Sequence, residues 1–242
     1  MSFEEFTGAH MTILWLAFGI AFVMGAVANK TNFCTMGAVS DLVNMGDTGR
    51  IRAWILAMTV AMLGVIILES SGLMSVDSTL PPYRGSNFAW LEYVLGGILF
   101  GIGMTYGSGC GNKTLVRIGG GNLKSILVFL VIAVCAYFMR NPFPGTDQTL
   151  YSLLFYGWTS KASVSMATQQ DLGSVIGNMT GADAGNTRLV LGLVLVALLG
   201  WFVFKSSEFR KSFDNILGGT VIGLAVVAAW YVSTGLFSIN AD

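Results

Sequence analysis

Long apolar stretches, broken by short polar interruptions, run along most of this chain. Six of them approach the roughly 20 helical residues that a hydrocarbon core about 30 Å thick requires. They are Met11–Ala28, Ala53–Leu68, Phe88–Tyr106, Leu123–Met139, Leu189–Phe204 and Ile216–Phe237. The second and fifth are short, and flanks such as Arg52 and Lys205 would lengthen them at the membrane surface. Between the fourth and fifth, residues 141–188 hold no span. Pro142, Pro144, an aromatic patch (Tyr151, Phe155, Tyr156, Trp158) and a polar tail predict a loop, with Leu150–Trp158 as a helix lying at the interface, where Tyr and Trp rings prefer to sit. The pattern predicts an all-α integral membrane protein, residues 1–242 forming one membrane domain.

Composition agrees. Of the 242 residues 54% are hydrophobic and 11% charged, where a soluble domain carries roughly 25% charged residues. Thirteen Lys and Arg balance thirteen Asp and Glu, which excludes a nucleic-acid partner, since that affinity rests on excess positive charge facing phosphates. The acidic start, Met1-Ser-Phe-Glu-Glu-Phe, and the full-length first span predict a retained helix and not a cleaved signal. Lys30, Arg50 and Arg52 follow the first span, Lys113, Arg117 and Lys124 the third, and Lys205, Arg210 and Lys211 the fifth. The positive-inside rule therefore places these three loops in the cytoplasm and the N-terminus outside, in an inner (plasma) membrane.

The candidate chemistry lies at two cysteines. Gly25 precedes Cys34 by nine residues and Gly101 precedes Cys110 by nine; each cysteine follows one apolar span and a mixed-polarity stretch leads to the next. Two copies of a span–cysteine segment–span unit are expected, about 11–68 and 88–139, followed by helices 189–204 and 216–237. The cysteine segments are too polar to face lipid. Non-helical backbone at membrane depth is tolerated only where protein buries it or water reaches it. Short or broken re-entrant helices carrying the cysteines are the expected form, with N–H groups and a positive dipole end turned toward an anion. The candidate binding residues are Cys34, Cys110, Gly109, Gly111, Asn112, Lys113 and Thr114. Gly97, Gly101 and Gly103, and still more Gly218, Gly219 and Gly223, read as helix-packing residues; Cys135 reads as an inert apolar residue.

Three cysteines and one histidine offer neither a disulfide framework nor a zinc site. No nucleophile–histidine arrangement, Walker sequence or dinucleotide spacing is present, so neither a catalytic site nor a cofactor is expected.

The stretch Gly101-Ile-Gly-Met-Thr-Tyr-Gly-Ser-Gly-Cys-Gly-Asn-Lys-Thr-Leu-Val-Arg-Ile-Gly-Gly-Gly-Asn-Leu-Lys-Ser125 resembles the YeeE/YedE family of sulfur-transport membrane proteins. So do Asn32-Phe-Cys-Thr-Met-Gly-Ala-Val-Ser-Asp-Leu42, Gly46–Ala53 and Ser207–Gly223. The resemblance implies an hourglass of transmembrane and re-entrant helices with cysteines along a path for thiosulfate or a related sulfur or selenium species. Cys34 and Cys110 match motif cysteines, and Cys135 matches none. Longer relatives carry further spans and another cysteine segment, which implies a truncated form, half of a split transporter, or a shorter branch that oligomerises. The leading expectation is transport of a sulfur-containing anion. The alternatives are a persulfide on Cys110 passed to a soluble, TusA-like sulfur carrier protein, and a non-transporting subunit beside a second membrane protein.

Overall fold

In the computed structural model, residues 3–76 and 84–236 are described, with the side chains of 10–76 and 84–234. The proposed signal-free start at Met1 and Ser2, and the end of the sixth span at Phe237, lie outside them. Among the described residues, six helices are long and apolar enough to cross a membrane. They are embedded in the chain order α1 (Phe3–Lys30), α2 (Thr35–Ser40), a π-turn (Asp41–Met45), α3 (Gly49–Ser70), β1 (Asn87–Phe88), α4 (Trp90–Tyr106), α5 (Gly111–Gly119) and α6 (Leu123–Arg140). A second π-turn (Ser152–Tyr156), α7 (Gly157–Thr159), a 3₁₀ turn (Ser160–Ala162), β2 (Val164–Ser165), α8 (Leu172–Thr180), α9 (Ala184–Phe204), α10 (Ser207–Lys211) and α11 (Phe213–Trp230) complete it, with a last π-turn at Tyr231–Leu236. The protein is an all-α, multi-pass membrane protein.

Its surface says the same. Phe18, Phe22, Leu127, Tyr137 and Trp201 are all more than half exposed. For a chain in water that much apolar surface would be unfavourable, whereas lipid tails solvate it.

Several boundaries differ from those the hydropathy pattern gives. The third span starts at Trp90 and not Phe88, because Phe88 pairs in a short antiparallel ladder with Val164, and Asn87 with Ser165. The fifth is not short. It begins at Ala184, where the Asp183 carboxylate accepts the Asn186 N–H at 2.9 Å, a side-chain cap that permits a helix to start in polar sequence. Lys205 lies just past its end, with its ammonium 4.9 Å from the Trp201 ring centroid. The helix expected at Leu150–Trp158 is present and runs on to Ala162 as α, π and 3₁₀ turns. The polar tail after it is not all loop: α8 forms there, capped by Asp171, whose carboxylate accepts the Ser174 N–H at 3.0 Å.

Two compact units emerge. The first comprises residues 1–33, 37–85 and 168–242. Its core of Ala28, Phe33, Ala53, Leu56, Ala57, Val203 and Phe209 is built on α1, α3, α9, α10 and α11. Small residues set the spacing: a Cβ added at Gly219 would lie 2.7 Å from the Ala53 carbonyl, and one at Gly223 2.7 Å from that of Ala57. These two glycines seat α11 directly on the backbone of α3. Gly218 meets Thr31 and Phe33. The Arg52 guanidinium closes the C-terminal end of α9, donating to the carbonyls of Phe202 and Val203 and lying 4.5 Å from the Phe202 ring centroid. By contrast, a Cβ added at Gly97, Gly101 or Gly103 would meet nothing within 4 Å, so these glycines do not pack helices together within the chain.

The same unit holds a polar cluster. Glu69 at the end of α3 pairs with Arg84 and lies 3.6 Å from Arg188. Arg188 in turn donates to Asp171 at 3.0 Å, Gln169 at 3.0 Å and Ser174 at 3.2 Å. Burial alone would raise the Asp171 pKa, but the hydrogen bonds from Arg188 and Ser174 outweigh it and hold the carboxyl at about 2. Gly173 on α8 lets the backbones meet here, since a Cβ would come within 2.5 Å of Arg188 Cα.

The second unit comprises Cys34–Met36 and Ser86–Ala167. Glu92, in the first turn of α4, accepts from the Tyr151 hydroxyl at 2.5 Å and from buried Thr159 at 3.0 Å. That contact ties the irregular helix at 150–162 to α4. Burial and then the Glu92 hydrogen bond raise the Tyr151 pKa above 10.0.

Candidate functional site

The chain turns the same way before Cys34 and before Cys110. At the end of α1 the Thr31 N–H donates to Val27 O at 2.9 Å, Asn32 N–H to Asn29 O at 3.3 Å and Phe33 N–H to Ala28 O at 3.0 Å. At the end of α4 the Gly107 N–H donates to Gly103 O at 2.8 Å, Ser108 N–H to Thr105 O at 3.4 Å and Gly109 N–H to Met104 O at 2.9 Å. Each trio bonds the same three positions before its cysteine. The last two bonds of each, reaching back three and five residues, make a Schellman motif that closes the helix. A residue in the left-handed conformation carries the turn: Asn32 at φ 49° and Ser108 at φ 57°. The cysteine comes two residues later, and a new helix begins at once, at Thr35 and at Gly111.

Cys34 is buried, Cys110 half-buried and Cys135 exposed on α6; no disulfide joins them. Cys34 and Cys110 both fall in the second unit.

At Cys110 the backbone is extended (φ −76°, ψ 169°), and its carbonyl accepts the Thr114 N–H at 3.0 Å as the first bond of α5. A helix leaves its first N–H groups without intrahelical acceptors; here they belong to Gly111, Asn112 and Lys113. Gly109 has φ 149° and a Cβ there would lie 3.2 Å from Lys113 Cβ, so the lysine stem covers the glycine. Asn112 is exposed. Thr114 does not serve as a free donor: it is buried, and its hydroxyl donates to the Cys110 carbonyl at 3.1 Å. Gly109 to Lys113 run consecutively into α5, with Gly109 buried, Cys110, Gly111 and Lys113 half-buried and Asn112 exposed.

The family's sequence model, described as sulphur transport, matches residues 30–241. This chain belongs to the sulphur transport family. The match includes both cysteine turns and every span but most of the first. Two curated relatives align over 129 residues, 53% of this chain. One, from Escherichia coli (strain K12), is 30% identical and is named thiosulfate transporter TsuA. The other, from Spirochaeta thermophila, bears the same name and is 22% identical. The aligned stretch spans 35% of the first relative and 37% of the second, about a third of each.

The two left-handed residues that sequence reasoning passed over, Asn32 and Ser108, stand inside the segments that carry the resemblance. Their signal is faint in sequence because glycine, the usual marker of such a turn, is absent from both positions.

Proposed function

We propose that this protein carries thiosulfate, or a closely related sulfur oxyanion, across the inner membrane, with its N-terminus outside. Cys34 and Cys110 would be successive stations for the anion. The observation that carries this reading is the recurrence of one helix-closing turn, cysteine and new helix at Cys34 and at Cys110, in a chain of the sulphur transport family. The names of the two relatives support the choice of anion.

Thiosulfate is a dianion with soft sulfur and hard oxygens. Fixed cations along the path would bind it too tightly, because conduction needs sites weak enough to leave. A protonated thiol is a weak donor, and the N–H groups opening α5 add a partial positive charge of about half an elementary charge. The anion would exchange S–H hydrogen bonds and never form a covalent bond, so the protein acts as a carrier and not a catalyst. A thiolate would repel the dianion, so the mechanism requires both thiols to stay protonated.

Uptake of radiolabelled thiosulfate into proteoliposomes holding this chain alone tests substrate and sufficiency together. Cys34→Ala and Cys110→Ala are each expected to cut the rate at least tenfold, and wild-type rates in both would refute the mechanism. Uptake that appears only on adding a second membrane subunit would assign the path to a complex.

A further inference from the structure

The stretches long and apolar enough to span, the first of them His10–Met45, hold four acidic side chains among the described residues: Asp41, Glu69, Glu92 and Asp214. Asp41 is paired with Arg50 at 3.1 Å, and Glu69 with Arg84. Asp214, in the first turn of α11, is exposed. Glu92 fits neither pattern. It is half-buried, no cation pairs with it among the described residues, and its partners are the hydroxyls of Tyr151 at 2.5 Å and Thr159 at 3.0 Å. Drawing a carboxylate out of water without a cation is costly, and taking up a proton removes that cost.

The hydroxyls leave room for that proton. Thr159 is 1% exposed, and its single hydroxyl proton has two acceptors within reach, Glu92 Oε1 at 3.0 Å and the Phe155 carbonyl at 2.9 Å. Turned to Glu92, the hydroxyl satisfies an ionised carboxylate. Turned to Phe155, it shows Glu92 a lone pair, and that contact is a hydrogen bond only when the carboxyl supplies the proton. One hydroxyl rotation thus accommodates both protonation states. Glu92 also lines a cavity of about 120 Å³, walled by Leu95 and Leu99 of α4, Met139 of α6 and Phe155. At roughly 30 Å³ each, a few waters fit there to relay a proton. Tyr151 is the other titratable group in the wall, and α6 brings none to it.

We propose that Glu92 is a proton-binding site that couples inward movement of a proton to uptake of the anion. The inference rests on the transport reading above. A dianion entering a cell works against the inside-negative membrane potential in proportion to its charge, and a proton travelling with it halves the charge that crosses. The carboxylate takes up one proton and becomes a carboxylic acid, whose O–H donates to Thr159. Release of that proton toward the cytoplasm restores the carboxylate, and the Thr159 hydroxyl turns back to it. Glu92 stands in the first turn of α4, and the turn before Cys110 closes the same helix, all within one compact unit. A change in how residues 150–162 hold α4 is therefore a change in the helix that leads into Cys110.

Proteoliposomes holding the whole chain, with the membrane potential clamped at zero, are given a pH gradient of one unit, acid outside. One proton per anion should concentrate radiolabelled thiosulfate about tenfold inside, whereas an uncoupled path only equalises it. Glu92→Gln keeps an acceptor for Tyr151 and offers Thr159 an N–H, so it should melt close to wild type, yet it binds no proton and should bring thiosulfate only to equality. Thr159→Val should slow gradient-driven uptake roughly three- to tenfold, the worth of one neutral hydrogen bond, and Thr159→Ser should restore it. Wild-type accumulation that ignores the pH gradient, or follows a sodium gradient in its place, overturns the assignment and leaves transport standing. So does a Glu92→Gln chain that still concentrates thiosulfate, and one that unfolds overturns the hydroxyl geometry on which the site is built. Failure of the wild type to carry thiosulfate under any gradient refutes the transport reading and the coupling with it.

Discussion

Gly223→Ala measures how closely α11 is seated on α3. The added methyl would lie 2.7 Å from the Ala57 carbonyl oxygen and 2.7 Å from Val60 Cβ, roughly 0.8 Å inside the ~3.5 Å optimum for non-bonded carbon contacts. One obstacle is backbone and the other is the branch point of a stiff side chain, so neither can rotate aside. The helices must separate. Overpacking of this kind costs about 1–3 kcal/mol, and alanine's better helix propensity returns up to about 1 kcal/mol. The net loss should be about 1–2 kcal/mol, or roughly 2–8 °C in Tm for a chain of this size. Gly101→Ala is the control, because its methyl meets nothing within 4 Å and only the propensity gain remains. Thermal unfolding of the detergent-purified variants can be followed by the fluorescence of the six tryptophans, Trp54 on α3 and Trp230 at the end of α11 among them. If Gly223→Ala melts at or above the temperature of Gly101→Ala, the backbone-to-backbone seating of α3 and α11 is wrong.

The Asp171–Arg188 pair should give the fold an acid limb. Because the Asp171 pKa is held at about 2, below its ordinary 3.8, its stabilisation is fully present above pH 3.8 and is lost as pH falls toward 2. At about 1.4 kcal/mol per unit, the contribution is about 2 kcal/mol. Asp171→Asn should therefore lower Tm at neutral pH and flatten its decline between pH 4 and 2; a curve that merely runs parallel to wild type would count against the pairing. Tyr151→Phe deletes the hydroxyl that donates to Glu92 at 2.5 Å, a bond to a charged acceptor worth about 1.5–3 kcal/mol. Faster amide exchange confined to 150–162 and the start of α4 is expected, and unchanged exchange there would dismiss the tie.

Hydropathy made the six spans legible, since crossing a bilayer demands length and apolarity whatever the tertiary fold. The matching turns before Cys34 and Cys110 fall where the equal Gly–Cys spacing had drawn attention. What escaped was whatever depends on a neighbour. Gly101 and Gly223 look alike in sequence, yet one faces open space and the other a carbonyl 2.7 Å away. Leu172–Thr180 reads as a polar tail because its nine residues gain their helix from the Asp171 cap and from close packing on Arg188. The Thr114 hydroxyl donates to the Cys110 carbonyl, a bond that residue type and spacing do not announce. The Ser108 turn is hidden for the opposite reason: its left-handed backbone runs against the preference of serine, whereas asparagine, at position 32, tolerates that conformation.

The Schellman closure before Cys110 also has an electrical consequence. A helix that ends and another that begins at one cysteine would ordinarily present opposite poles to it, and the two fields would largely cancel. Here the N–H groups of Gly107, Ser108 and Gly109 turn back onto the carbonyls of Gly103, Thr105 and Met104, muting the negative pole of α4. The opening N–H groups of α5 have no such partners. The junction is a rectified one, positive toward whatever approaches Cys110, and the backbone alone supplies that polarity.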